Sequence, residues 1–216
     1  MATPDAGPAP SDKRSRTNTR ARLLVSARAM FTAKGYGATS VGDVCQHAGF
    51  TRGAFYSNFA SMDELFLALW DEEAERIVAG VATLGEVAAA SSDPLGAAIQ
   101  ALGALELIEP GWFVLNTEFL LHALRNPDVA TDLARHRRHL RDELTRVVTD
   151  LLAIEDRALP EGVAPELYSR MLIAAYEGSQ HQALVEPGPG GAGDLQAALL
   201  HLLVIACPAR SADRSS

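Results

Sequence analysis

Glycine punctuation between residues 35 and 49 restricts this chain more than any other feature. Helical periodicity runs through Leu24, Ala27 and Phe31 at i, i+3 and i+7, with Leu23 and Met30 beside them. It stops at Gly35, directly after Lys34, where a cation in the last turn and a residue free to turn left-handed are the expected end of a helix. Ser40 then offers an N-cap with Asp43 in the reciprocal position, and Val41, Val44 and Ala48 supply one buried side before Gly49 ends that segment. Thr51 caps a third segment running to about Phe59, and Ser61 with Glu64 opens a longer fourth one through Leu65, Phe66, Leu69, Trp70 and Ile77.

Two short helices joined at a glycine, behind a longer one, are a helix-turn-helix over residues 16–60. Ala48, Gly49 and Phe50 fall in its turn, and Phe50, Phe55 and Phe59 plug its small core. Arg52, Gly53, Ala54, Tyr56, Ser57 and Asn58 are left facing outward. Those types suit DNA, with Arg for guanine, Gly and Ala for close approach, and the hydroxyls and amide for phosphates or base edges. The same spacing also describes a three-helix bundle that binds nothing. Charge separates the two readings: residues 1–60 carry eight Lys/Arg against three Asp/Glu, a balance of +5, whereas the remainder carries 11 against 24, a balance of −13. A basic head on an acidic body orients the approach to a polyanion.

Beyond residue 62 no stretch alternates like a strand. Pro and Gly breaks divide it into helices at about 93–108, 111–125, 127–154, 164–186 and 192–206, an all-α chain of about nine helices. The expected organisation is a disordered arm over 1–15, a three-helix DNA-binding domain over 16–62, and a larger helical domain over 63–209, to which the resemblance described below adds ligand binding and dimerisation. Cys45 and Cys207 are too few and too far apart for a disulfide framework or a zinc site. The longest apolar run, 197–207, is broken by His201 and falls short of a bilayer span. A soluble cytoplasmic protein without cofactor or membrane partner is expected.

On a helical wheel Trp112, Phe113, Phe119, Leu120 and Leu124 share one side of their helix, and Glu118, His122 and Arg125 the other. Asn116 sits amid the apolar side, either as a satisfied core amide or as a polar group lining a cavity. Ala174, Ala175, Gly178 and Ser179 form a patch of small residues that lets two helices approach closely. With Leu195, Leu199, Leu202 and Leu203 of the last helix, it serves either a four-helix dimer interface or packing within one subunit. His136 and His139 stand at i, i+3 but are separated by Arg137 and Arg138, which disfavours a metal. Glu118 and His122, at i, i+4, are the acid/base pair of a competing reading as an α-helical enzyme. No nucleophile motif, phosphate loop or metal triad accompanies them.

Residues 39–59, TSVGDVCQHAGFTRGAFYSNF, continuing through Ser61 to Leu65, resemble the N-terminal domain of the tetracycline-repressor (TetR) family. The resemblance covers residues 17–70. It implies a homodimer on a palindromic double-stranded operator, with the third helix of each subunit in successive major grooves and a C-terminal core that binds a small effector. By position, Thr39 or Ser40, Thr51, Tyr56 and Asn58 would meet phosphates, while Arg52, Gly53 and Ala54 would face base edges and Ser57 would stand beside them. Residues 13–20 either add backbone or minor-groove contacts or form a solvated disordered arm. The implied cavity would be lined by Trp112, Phe113, Asn116, Leu120 and Met171. The implied dimer face would use Ala174, Ala175, Gly178, Ser179, Leu199 and Leu202. The implied function is a repressor released by a small lipophilic effector, with activation an open alternative. Two positions depart from the family: Met62 stands where Lys is frequent, and Cys45 where a small residue such as Ala is usual.

Overall fold

The computed structural model of the chain describes residues 10–91, 97, 110–154, 156–186 and 192–210. Eight helices occur among them: α1 (Pro10–Lys34), α2 (Val41–Ala48), α3 (Arg52–Tyr56), α4 (Met62–Ala89), α5 (Pro110–Arg125), α6 (Pro127–Ile154), α7 (Pro165–Val185) and α8 (Ala192–Ile205). The described residues contain no strand, and their one β-bridge, between Arg157 and Ala209, is isolated. The helix expected over 93–108 lies, apart from residue 97, outside the described residues. Residues 1–9 of the expected arm lie outside them too, whereas α1 reaches back to Pro10. A proline is tolerated there because the first helical N–H has no partner to lose.

Helix boundaries follow local chemistry. Gly35 and Gly49 take φ of +83° and +71°, and their N–H groups return to carbonyls of the preceding turn. Ser40 and Asp43 form a complete capping box, and Thr51 Oγ1 accepts from the Ala54 N–H at 3.2 Å. Ser61 Oγ accepts from the Glu64 N–H, while the Glu64 carboxylate reaches back to the Ala60 N–H. Proline opens α5, α6 and α7.

The chain divides into two compact units, 1–72 with 114–133, and 73–113 with 134–216. In the first, Leu23, Leu24, Ala27 and Phe31 of α1 are buried together with Val44, Ala48, Phe55, Phe59, Leu65, Phe66, Leu69 and Phe119. Phe66 and Phe119 stack with centroids 3.9 Å apart, and Tyr36 meets Phe119 edge-on at 5.0 Å, the offset and T-shaped arrangements that ring quadrupoles favour. In the second unit α7 packs along α8, and the Tyr168 hydroxyl donates to the Leu203 carbonyl at 3.1 Å. Residues 207–210 return to the α6–α7 connection, where Ala158 N–H donates to Pro208 O and Arg210 N–H to Asp156 O.

Candidate nucleic-acid interface

A recognition surface needs exposed side chains on a rigid backing. α3 has both: Phe55 and Phe59 are buried behind it, while Thr51, Arg52, Gly53, Tyr56 and Ser57 are exposed and Ala54 and Asn58 half-exposed. Tyr56 is 59% exposed, with its ring edge-on to Phe55 at 5.3 Å. Ser57 Oγ donates to Ala54 O at 2.9 Å, and Asn58 Nδ2 donates to the same carbonyl at 2.8 Å. Both bonds converge on one carbonyl near the end of a five-residue helix and hold the two side chains along it.

Ser40 is exposed, whereas its neighbour Thr39 is buried. The Thr39 hydroxyl turns inward and donates to Gly35 O at 2.8 Å, with Met30 O at 3.3 Å. Between the two residues offered for one phosphate contact, the exposed hydroxyl is that of Ser40, because Thr39 completes the end of α1. Asp43, which caps α2, also takes Lys34 Nζ at 2.5 Å. The Lys34 hydrogen bond, helped by those from Ser40, holds the Asp43 carboxyl well below the usual carboxylate range.

Arg20, at the end of the 13–20 segment offered for nucleic-acid contacts, and Arg22, expected only to add charge, both have partners within the first unit. Arg22 Nη2 donates to Ala48 O at 2.8 Å, satisfying the C-terminal end of α2, and its guanidinium lies 4.6 Å from the centre of the Phe50 ring. Arg20 covers Phe59 at 5.1 Å. Two cations of the basic head therefore brace the helix-turn-helix from α1. Phe50 is half-buried under Arg22 rather than inside the core. The sequence signal was the number of cations in α1, but Arg20 and Arg22, two positions apart, share no helix face, and their aromatic partners lie on other elements. Cys45 is buried, its thiol pushed up by desolvation with Arg52 pulling the other way, which suits a small core residue.

The wheel drawn for α5 is corrected by burial. Trp112, Phe113, Leu115, Phe119 and Ala123 are buried, Leu120 is half-buried, and Leu124 is 71% exposed. Asn116 accepts a hydrogen bond from Trp70 Nε1 at 3.1 Å, so its amide oxygen has a partner inside the first unit. The polar edge is in use as well: Glu118 accepts from the Tyr36 N–H at 2.7 Å, and His122 Nε2 lies 2.8 Å from Asp63 Oδ1. Each member of the supposed acid/base pair has its own structural partner.

Of the cavity candidates, Asn116 and Leu120 belong to the first unit, and Trp112, Phe113 and Met171 to the second. Phe113 meets the His181 ring edge-on at 4.5 Å. Met171 is 38% exposed, on the same side of α7 as exposed Ala174. Among the small residues, Ala175 and Gly178 are half-buried, as is Leu199, and Leu202 is 58% exposed. A Cβ on Gly178 would meet open space. Ser179 is fully buried and its hydroxyl donates to Tyr176 O, which takes it off that face. Among the described residues no three metal-ligating side chains converge, and no helix is long and apolar enough to cross a membrane.

A capped helix-turn-helix carried by an all-α body defines a DNA-binding regulator class. The family described as "Bacterial regulatory proteins, tetR family" matches residues 23–69, and "BetI-type transcriptional repressor, C-terminal" matches residues 91–207. The chain belongs to the TetR family of bacterial transcriptional regulators, which are not enzymes. It is 29% identical over 86 residues to the HTH-type transcriptional activator FasR of Mycolicibacterium smegmatis, across 40% of this chain and 39% of FasR. It is 36% identical over 59 residues to the HTH-type transcriptional regulator AcrR of Shigella flexneri, across 27% of each. The chain thus spans less than half of the curated relatives it matches. In fold it is similar to a TetR-family regulator from Rhodococcus sp., with a TM-score of 0.69 at 17% identity, covering 89% of this chain and all of that one.

Proposed function

We propose that this chain is a dimeric repressor that grips a palindromic operator through α3 and lets go when a small lipophilic effector occupies its second unit. One observation carries the DNA half of this reading. Arg52, Gly53 and Tyr56 stand exposed on α3, directly after its Thr51 cap and on a backing closed by Phe55 and Phe59, while the Ser40 cap of α2 is exposed as well. Ser40, Thr51, Tyr56 and Asn58 then position the backbone, Arg52 reads guanine, Gly53 and Ala54 allow close approach, and Ser57 flanks them. Repression is supported by the description of the C-terminal family.

Dimerisation is supported by an exposed stripe. Leu167, Met171, Ala174 and Val185 on α7, with Leu202 and Ile205 on α8, leave apolar surface facing outward on two adjacent helices, the kind of face a second copy covers. Met171 moves with this reading from the effector to the partner subunit, and Trp112 and Phe113 remain as aromatic anchors for the effector. Helices α4 and α5 contribute residues to both units, and occupancy would act through them on the half-site spacing of about 34–36 Å.

The test is fluorescence anisotropy on duplexes that the protein selects from a random library. Salt-sensitive, sequence-specific binding is expected. Arg52→Ala should relax base preference at a cost of about 1–3 kcal/mol, and Tyr56→Phe should weaken all sequences alike. Equal loss on specific and random DNA in Arg52→Ala would remove Arg52 from base readout. A thermal-shift screen of lipophilic compounds, followed by release from the selected duplex, tests the effector. Activation is the second reading, favoured by the similarity to FasR, a transcriptional activator. A reporter whose output rises when the protein is expressed would replace repression with it.

A further inference from the structure

Gly42 occupies the second position of α2, and its backbone has no need of glycine: the helix runs through it, already capped by Ser40 and Asp43. Glycine there forgoes helix propensity relative to alanine. The absent side chain leaves a space that another residue fills. A Cβ on Gly42 would stand 3.2 Å from Nη2 of Arg52, 4.0 Å from its Nε and 3.5 Å from Oγ of Ser40. The guanidinium of Arg52 therefore lies back across the first turn of α2, beside the exposed Ser40 hydroxyl. Its charge reaches the Cys45 thiol on the next turn as well. Gly53 differs, since a Cβ there would meet only Thr51 Oγ1, at 3.7 Å.

We infer that Gly42 is a positioning residue for operator recognition: by leaving its place open it sets the pose of the Arg52 guanidinium, and with it the base that Arg52 selects. The inference rests on the reading of Arg52 as a base contact. A long side chain held against a wall in one pose has less freedom to lose on binding than one that is unconfined. A substitution at Gly42 strikes the flexible end of Arg52, not backbone, so the arginine gives way and the fold survives.

The experiment selects duplexes from a random library with five full-length proteins: the natural chain, Arg52→Ala, Gly42→Ala, Gly42→Leu and the double variant Gly42→Leu/Arg52→Ala. Melting temperature and salt dependence are followed alongside. Gly42→Leu should relax preference at the same base pair of each half-site as Arg52→Ala, by on the order of tenfold. It should add nothing further in the Arg52→Ala background. Gly42→Ala should move preference the same way by less while melting no lower than the natural chain, so the readout does not depend on Gly42→Leu folding. A shift with Arg52→Ala but none with either Gly42 variant overturns the inference and leaves Arg52 as the base reader. Additive effects of Gly42→Leu and Arg52→Ala overturn it too. No shift with Arg52→Ala removes the base-reading role itself, and the inference falls with it.

Discussion

The carboxylate of Glu118 accepts the backbone N–H of Tyr36 at 2.7 Å, fastening α5 to the turn that closes α1. The two residues are 82 positions apart. A Cβ on Gly35 would lie 3.0 Å from Glu118 Oε2, so the left-handed glycine that ends α1 also makes room for the carboxylate that caps the turn. Glu118→Ala should cost about 1 kcal/mol in chemical denaturation, below the usual range for a charged hydrogen bond because the side chain is exposed to solvent. Glu118→Gln, which keeps an acceptor, should lose less. Gly35→Ala should cost more than Glu118→Ala, since it adds backbone strain at positive φ to the contact. Equal losses in Glu118→Ala and Glu118→Gln would show that the hydrogen bond to Tyr36 contributes nothing.

Tyr36 donates its hydroxyl to Asp63, and Tyr168 donates its own to Leu203 O. Burial pushes both phenols far above the ordinary tyrosine value, with the Asp63 bond adding to Tyr36 and Cys207 to Tyr168. A raised folded value means that the neutral phenols add stability that is whole below about pH 10 and is lost as pH rises toward the folded values. An alkaline titration followed by tyrosinate absorbance, with unfolding monitored alongside, checks this. Tyr36 and Tyr168 should ionise only together with unfolding, and Tyr36→Phe should shrink that step. Full ionisation of Tyr36 in the folded chain near pH 10 would contradict its burial.

Asp43 carries the opposite sign. Its folded value is depressed, chiefly by Lys34 and then by Ser40, so its contribution is present above the unfolded carboxylate value of about 3.9 and disappears as pH falls below it. Asp43→Asn should melt below the natural chain at neutral pH, and the gap should begin to narrow below about pH 4 and go on narrowing as pH falls toward the depressed folded value. A gap of constant size from pH 7 to pH 3 would assign the effect to shape rather than charge.

Arg22→Ala removes the bond to Ala48 O and the guanidinium over Phe50. Stability should fall by about 1–2 kcal/mol. Operator affinity should weaken without any change in the preferred sequence, because Arg22 braces the turn and does not face α3's exposed side. A changed base preference would make Arg22 a reader. Measured beside Arg52→Ala on the same duplexes, the two arginines separate cleanly.

Much of the first unit was legible without coordinates because its signals act over a few residues. Ser40 with Asp43, Thr51, Ser61 with Glu64, Gly35, Gly49 and Pro127 each complete a bond or a dihedral within one turn of themselves. The wheel for α5 failed at Leu124, which is exposed, and it placed Glu118 on the exposed edge without showing its partner. It assumes one buried face per helix, whereas α5 also uses its polar edge, with Glu118 on Tyr36 and His122 on Asp63. Asn116 was ambiguous on its own helix and acquired its role only when Trp70, 46 residues earlier, supplied a donor.

The sequence by itself determined the element order, the caps, the exposed set on α3 and the division of charge, because these depend on composition and on bonds between near neighbours. Only the tertiary structure decided that Thr39 turns inward while Ser40 stays out, that Arg22 braces the turn, that Ser179 is interior, and that Arg52 lies over Gly42. Each of those outcomes depends on which partner arrives from a different helix. Such an arrival costs chain entropy that only the packed core repays, so no local pattern announces it.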